Sequence, residues 1–287
     1  MEKTPENLPE ESRENREGSV FFTRHSKAGY KTYAEILKSD DPTAPVDPER
    51  QVVPDLPEAG VELARDSAEE FLDTLDPETD QLFFASSNEA RALETAAIYK
   101  EVAETKGFEI IKPEHVRGEL AEEIGGGDIR VVDALSLNIK NNLLSSVFNP
   151  SAHVGEVNLE ALDPKTLTKW NEARAIIEAG DRDSWGANFY EYGEEIQKIF
   201  PELKTSRELY ETKFKNLLRL AEFGLKKAEE SSLDKNIKIL AFGHENYMGY
   251  ALNKYFGEHE IKNCETLTIK PAGENLAINR RGEEASL

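Results

Sequence analysis

Cysteine, long apolar segments and positive charge are all scarce in this sequence. Its 287 residues include one cysteine, Cys264, which excludes an intramolecular disulfide and a metal site built from several cysteines. No apolar run approaches the length of a transmembrane helix, and the first residues lack the apolar core of a signal peptide. We therefore expect a soluble, cytoplasmic protein.

The charge balance is strongly acidic. The chain carries 56 Asp and Glu against 35 Lys and Arg, a formal net charge of −21. Such a field repels nucleic acids and anionic membrane surfaces, so we expect neither as a partner. The same field repels phosphorylated ligands at long range. A phosphate site in this chain must therefore depend on a local cluster of positive groups.

Composition divides the chain into a leader and one large domain. Residues 1–17 are rich in Glu, Pro, Asn and Arg and nearly free of apolar residues, which predicts a disordered acidic leader. Residues 18–287 are long enough for one large α/β domain. Within that domain, residues 129–205 predict an inserted cap segment with short helices. No feature of the sequence sets an oligomeric state.

Three apolar runs, each typical of a buried strand, end in basic or hydroxyl residues. They are Ser19–Thr23 followed by Arg24-His25-Ser26, Leu82–Ala85 followed by Ser86-Ser87, and Ile237–Phe242 followed by Gly243-His244. In open α/β sheets the chemistry lies at the carboxyl ends of the strands. The pattern therefore points to a site where these three ends meet.

The segments around these runs predict the remaining elements. A proline-rich loop, residues 27–57, precedes an amphipathic helix that begins at Glu58, and a second long helix is predicted over residues 206–230. Thr266–Ile269 and Leu276–Asn279 predict a closing antiparallel pair. The polar residues 280–287 predict a frayed end.

The stretch Ser86-Ser87-Asn88-Glu89 has the form of a capping box, a hydroxyl followed three residues later by Glu. It predicts that the two serines cap the next helix, with Arg91 on the first turn. An Arg at that end opposes the helix dipole, whereas an anion there would be favoured. A phosphate in front of Arg91 would offset the unfavourable interaction, although an ordinary surface Arg is the alternative reading.

These motifs resemble those of the histidine phosphatase superfamily, the phosphoglycerate-mutase-like enzymes. Arg24-His25-Ser26 stands where the family has Arg-His-Gly. Residues 86–96 read Ser-Ser-Asn-Glu-Ala-Arg-Ala-Leu-Glu-Thr-Ala, close to the family's Ser-Ser-x-x-x-Arg-Ala-x-x-Thr-Ala. Gly243-His244 matches the third block. The resemblance spans roughly residues 18–280, and its one departure in the first motif is Ser26 in place of Gly.

The resemblance implies a fold and a set of roles. The fold is a three-layer α/β/α sandwich with a mostly parallel central sheet and an inserted helical cap region. His25 would be the nucleophile that forms a phosphohistidine, and Arg24, Arg91 and His244 would bind the phosphate, with Ser26 beside them. No metal or cofactor is implied. The substrate would be a small phosphorylated molecule or a phosphoprotein.

The resemblance also implies a carboxylic acid that protonates the leaving oxygen. In the best register of the family's Leu-x-Glu-x-x-x-Gly-like segment the candidate is Glu123, with Glu122 and Glu119 as rivals. Glu245 occupies the slot in which the acid-phosphatase and phytase branch places a carboxylate. Alternatively, Glu245 is an N-terminal helix charge that complements the dipole.

Three functions are compatible with these residues. A phosphatase that hydrolyses phosphomonoesters through a phosphohistidine comes first. A phosphoglycerate-type mutase needs the same site and, in addition, a means of retaining the phosphoryl group, which the sequence does not show. The third is a catalytically weak phosphate-binding regulatory module, which the presence of Arg24, His25, Arg91 and His244 argues against.

Overall fold

The structure is a computed structural model. It describes residues 18–29, 55–112, 128–135, 163–181, 188, 190–201, 206–230, 235–258, 260–273 and 275–287. The predicted leader, residues 1–17, lies outside these ranges, and so does most of the proline-rich loop. The candidate acids Glu119, Glu122 and Glu123 also lie outside them.

The described residues alternate strands and helices. The strands are β1 (Ser19–Arg24), β2 (Asp80–Ser86), β3 (Glu109–Ile110), β4 (Ile129–Val131), β5 (Asn236–Gly243), β6 (Thr266–Ala272), β7 (Asn275–Arg280) and β8 (Glu283–Ser286). The helices are α1 (Glu58–Leu72), α2 (Ala90–Thr105), α3 (Pro164–Glu178), α4 (Gly193–Ile199), α5 (Ser206–Glu229) and α6 (Glu245–Phe256), with a 3₁₀ turn at Asp133–Leu135. Within the described ranges, no helix combines the length and apolarity needed to span a bilayer.

The strands form one central sheet in the order β3-β2-β5-β1-β6-β7-β8, with β4 also paired to β2. The pairs among β1 to β5 are parallel, whereas β6 runs antiparallel to β1 and continues into the antiparallel strands β7 and β8. Parallel strands need crossover connections, and helices supply them. The predicted mostly parallel α/β sheet is therefore confirmed.

Helices cover both faces of this sheet. Successive strand residues point to opposite faces, so Val20 and Phe22 of β1 share a core with α5 and α6. Phe21 of β1 and Phe242 of β5 share the other core with α1 and α2. Both faces of the central strands are buried, which is why these strands read as continuous apolar runs in the sequence. The three predicted layers are present.

The predicted inserted segment contributes helices α3 and α4. Ile177 of α3 and Ile196 of α4 share a small core with Tyr210 of α5. The first residues of the predicted segment, Ile129–Val131, form a sheet strand that pairs in parallel with residues 84–86 of β2. A strand of three residues is too short to show a periodic pattern in the sequence.

The prediction of a frayed C-terminus was wrong. Ile278 of β7 pairs with Ala285 of β8 across a hairpin. The two residues between the strands, Arg281 (φ 49°) and Gly282 (φ 88°), both have positive φ. Two such residues make the turn whose twist matches antiparallel strands, and Gly adopts this conformation without strain. The hairpin orders the polar tail.

Candidate active site

The carboxyl ends of the three central parallel strands meet at one edge of the sheet. Arg24 of β1 lies opposite Gly243 of β5, and Ser86 of β2 lies opposite Phe242 of β5. The residues that follow each strand are therefore neighbours, as the sequence predicts. His25 and His244 approach with ring centroids 5.2 Å apart in an edge-to-face arrangement.

His25 is held in one orientation by contacts to its backbone and its ring. Its backbone N–H donates to the carbonyl of Gly243 at 2.9 Å, and its Nδ1 lies 2.6 Å from the carbonyl oxygen of Ser26. A carbonyl accepts only, so Nδ1 carries the proton and Nε2 keeps its lone pair. The Nε–H of Arg91 donates to that Nε2 at 3.2 Å. The Nε2 of His25 thus faces a cation.

His25 is uncharged in this environment. Burial lowers the pKa of the imidazole well below its ordinary value, and the nearby Arg91 and Arg24 guanidinium groups lower it further. The hydrogen bond to Ser26 acts in the opposite direction and does not outweigh them. A neutral imidazole is the form that can attack an electrophile.

His244 is the N-cap residue of α6, as predicted from its place before an amphipathic run. Its Nε2 is 2.8 Å from the Ser87 hydroxyl, and its backbone N–H donates to the Tyr247 hydroxyl at 2.9 Å. Burial lowers the pKa of His244 well below its usual value, and the positive charges of Arg91 and Lys213 lower it further. Neither Tyr247 nor Lys213 was predicted to lie near this site.

Arg24 is buried and pairs with a carboxylate at the start of α6, the helix that follows β5. Its Nη2 is 3.0 Å from Oε2 of Glu245, the first residue of α6. Its Nη1 donates to the carbonyl of Ile261. Among the described residues, its Nε is buried without a hydrogen-bond partner. Glu245 therefore neutralises Arg24, a third role beside the two that the sequence suggested.

Arg91 lies on the first turn of α2, as predicted, and is 4% exposed. Its Nη1 is 3.6 Å from Oε2 of Glu89 and 3.8 Å from Oδ2 of Asp55. Glu94, one turn further along α2, accepts the backbone N–H groups of Asp55 and Leu56, both at 2.8 Å. The guanidinium thus has His25 at one edge and two carboxylates at another.

The serines of the second motif do not cap α2 as predicted. Ser86 still belongs to β2, and the N-cap residue is Glu89, whose side chain makes no capping hydrogen bond. The Ser87 hydroxyl instead contacts the ring of His244 and accepts the backbone N–H of Glu89 at 3.3 Å. The capping prediction failed because Ser86 pairs with β5 and is therefore the last residue of strand β2.

The predicted place of Ser26 beside a phosphate stays a prediction, and its hydroxyl and backbone N–H both have partners within the protein. The hydroxyl donates to the carbonyl of Gly60 at 2.6 Å, and the backbone N–H donates to the Thr95 hydroxyl at 3.0 Å. A Cβ at Gly60 would lie 2.2 Å from the carbonyl oxygen of Lys27. Ser26 thus fixes the loop after His25 against the start of α1.

The structure brings together Arg24, His25, Arg91 and His244, with Glu245 beside Arg24. It adds Asp55 and Glu89, two buried carboxylates that the sequence analysis did not assign to the site. Within the described ranges, no group of three or more His, Cys, Asp or Glu side chains is arranged to hold a metal ion.

Solved structures that align with this chain include a phosphoglycerate mutase from Bacillus anthracis, with 16% identity, 96% of this chain and 93% of that chain covered, and a TM-score of 0.47. A mycobacterial glucosyl-3-phosphoglycerate phosphatase aligns with 12% identity, coverage of 93% and 99%, and a TM-score of 0.42. A phosphoserine phosphatase from Entamoeba histolytica, in complex with 3-phosphoglyceric acid, aligns with 13% identity, coverage of 88% and 90%, and a TM-score of 0.36.

No protein-family model matches the chain, and no curated protein matches it. Because the identities are low, the chemistry of this chain is inferred from its own site.

Proposed function

We propose that this protein is a metal-independent phosphatase that hydrolyses phosphomonoesters through a phosphohistidine on His25. The observation that carries the proposal is the state of the His25 ring. Its Nδ1 is tied to a carbonyl at 2.6 Å, and its Nε2 lone pair faces the Nε of Arg91 at 3.2 Å. A neutral nucleophile beside a guanidinium suits attack on a phosphoryl group, whose oxygens pair well with Arg.

In the first step the Arg91 Nε–H turns from His25 Nε2 to a phosphoryl oxygen, the released lone pair of Nε2 attacks phosphorus, and the bond to the leaving oxygen breaks. The phosphoryl group carries negative charge on its outer oxygens, so catalysis depends on positioning and charge stabilisation. Arg91 lies beside the attacking nitrogen, and Arg24 and His244 lie around the same strand ends. A phosphate that enters would compete with Glu245 for Arg24 and with the carboxylates beside Arg91.

In the second step water attacks the phosphohistidine, the phosphorus–nitrogen bond breaks, and the electron pair returns to Nε2. The proton stays on Nδ1 throughout, hydrogen-bonded to the Ser26 carbonyl, so the ring regains its starting tautomer. His25 is 4% exposed, and a buried intermediate excludes other acceptors. The substrate class is a phosphomonoester, either a small molecule or a phosphoprotein.

Turnover of p-nitrophenyl phosphate in the presence of EDTA tests this proposal. We expect hydrolysis by the parent between acid and neutral pH and none above background by His25→Ala. Arg91→Ala should lower kcat/KM by about 10²- to 10³-fold, the usual effect of removing a charge-stabilising donor. Arg65→Ala is the matched control, since the half-exposed Arg65 is 4.0 Å from Glu101 on the outside of the domain.

Equal turnover by the parent and His25→Ala would contradict the assignment of the nucleophile. Binding of vanadate without any turnover would instead favour the phosphate-binding module. Loss of activity on treatment with EDTA, restored by a divalent cation, would contradict metal independence.

A further inference from the structure

Glu89 is a buried carboxylate that has no role in the two steps of the proposed reaction. The residue is 3% exposed, and its Oε2 is buried without a hydrogen-bond partner among the described residues. Although Glu89 is the N-cap residue of α2, its side chain does not cap that helix. Its Oε2 is directed towards Arg91, 3.6 Å from Nη1.

The surroundings of Glu89 make its carboxyl harder to ionise. Burial raises the pKa of this carboxyl, and the negative charge of Asp55 raises it further, against the opposing effect of Arg91. Asp55 lies on the same guanidinium nitrogen, 3.8 Å away. Two carboxylates that share one site do not both ionise readily, so one of them retains a proton more easily.

Arg91 links Glu89 to the reacting nitrogen. The Nε of its guanidinium contacts His25 Nε2, and the Nη1 of the same group faces Glu89. The guanidinium group is planar and rigid, so the two contacts have a fixed relation. A phosphoryl group bound to Arg91 would bring its ester oxygen near the same cluster.

The other acidic side chains described at this site are engaged differently. Glu245 is ion-paired with Arg24 at 3.0 Å, a closer contact than the 3.6 Å between Glu89 and Arg91. Glu94 accepts two backbone N–H groups on one oxygen, so it fixes the backbone of residues 55 and 56. Neither arrangement suits a group that must give up a proton.

We propose that Glu89 is the catalytic acid that protonates the leaving oxygen, an inference that rests on the proposed phosphatase function. As His25 Nε2 bonds to phosphorus, the ester P–O bond breaks and the leaving oxygen takes the proton from Glu89, which gives a free alcohol. In the hydrolytic step, the Glu89 carboxylate accepts a proton from the attacking water. Each turnover thus returns both Glu89 and His25 to their starting forms.

The dependence of kcat/KM on the leaving group tests the proposal. p-Nitrophenolate departs without a proton, whereas an alkoxide requires one. We expect Glu89→Gln to lower kcat/KM by about 10²- to 10⁴-fold with an alkyl phosphate, the usual contribution of general acid catalysis, and far less with p-nitrophenyl phosphate. The basic limb of the pH profile with the alkyl phosphate should also disappear.

Glu101→Gln is the matched control, because Glu101 is half-exposed and lies on the outer face of α2. Glu245→Gln and Glu123→Gln are measured beside it. Equal losses on both substrates in Glu89→Gln, or no loss, would overturn the proposal, and so would the leaving-group dependence appearing in Glu123→Gln instead. Urea unfolding of Glu89→Gln separates a folding defect from a catalytic one.

The same experiment tests the role of Glu89 separately from the proposed phosphatase function. If the parent hydrolyses the substrates and His25→Ala does not, the phosphatase stands whatever Glu89→Gln does. If the parent hydrolyses neither substrate, both the function and the role of Glu89 are overturned.

Discussion

Tyr247 connects the active-site histidine to the body of the domain through one buried hydroxyl. The hydroxyl accepts the backbone N–H of His244 at 2.9 Å and donates to the carbonyl of Leu135 at 3.1 Å. Burial raises the pKa of the phenol, so it remains a donor at all ordinary pH values. The residue is 0% exposed, and the lack of a side chain at Gly243 makes room, since a Cβ there would lie 1.7 Å from the hydroxyl oxygen.

Tyr247→Phe removes the hydroxyl and leaves both backbone groups buried without this partner. Each orphaned buried polar group costs about 1–3 kcal/mol, and two groups lose their partner here. Because the surroundings relax in part, we expect the free energy of unfolding to fall by about 2–4 kcal/mol. His244 would also lose the bond that fixes its backbone. We therefore expect kcat to fall as well, with a smaller change in KM.

Urea unfolding followed by circular dichroism measures the loss of stability. Tyr255→Phe is the matched control, because its hydroxyl accepts a hydrogen bond from the adjacent exposed Lys254 amine at 2.9 Å. Removing this exposed contact should cost under about 0.5 kcal/mol. A loss in Tyr247→Phe that is below about 1 kcal/mol, or no larger than the control's, would refute the reasoning.

Three further outcomes are expected. Gly60→Ala should destabilise the fold by about 1–3 kcal/mol in urea unfolding, because its Cβ would lie 2.2 Å from the Lys27 carbonyl oxygen, and an unchanged midpoint would contradict this. Ser87→Ala removes the hydroxyl 2.8 Å from His244 Nε2 and should lower kcat/KM about tenfold, or roughly 1.4 kcal/mol, with an unaltered circular dichroism spectrum. The pKa values of His25 and His244 lie below their unfolded value of about 6.5, so the unfolded chain binds more protons below that pH. The stability that these two neutral histidines allow is complete above about pH 6.5, and it is lost as the pH falls towards their folded pKa values. His25→Asn should therefore flatten that part of the stability–pH curve.

The sequence predicts the parts of the fold that depend on local pattern. Buried parallel strands appear as continuous apolar runs, and the polar residues that end them are adjacent in the chain, so the place of His25 and His244 at one sheet edge could be inferred. The long helices show their apolar faces by spacing alone. These features need no knowledge of distant contacts.

The parts that failed depend on contacts between distant segments. Ser86 has the pattern of a helix cap, but pairing with β5 keeps it in the strand. The β7–β8 hairpin depends on the positive φ of Arg281, which a sequence pattern does not report. Glu89 reads as a capping residue and becomes a buried neighbour of Arg91 only after α2 packs against the sheet.

The most direct test of the central claim is the detection of phosphate on His25. The parent is mixed with p-nitrophenyl phosphate under single-turnover conditions and quenched in alkali at successive times, because phosphohistidine is labile in acid. The protein is then digested and analysed by mass spectrometry. We expect a transient phosphorylated peptide that contains His25 and is absent from His25→Ala. Release of p-nitrophenol with His25 unmodified at every time, together with full turnover by His25→Ala, would contradict it.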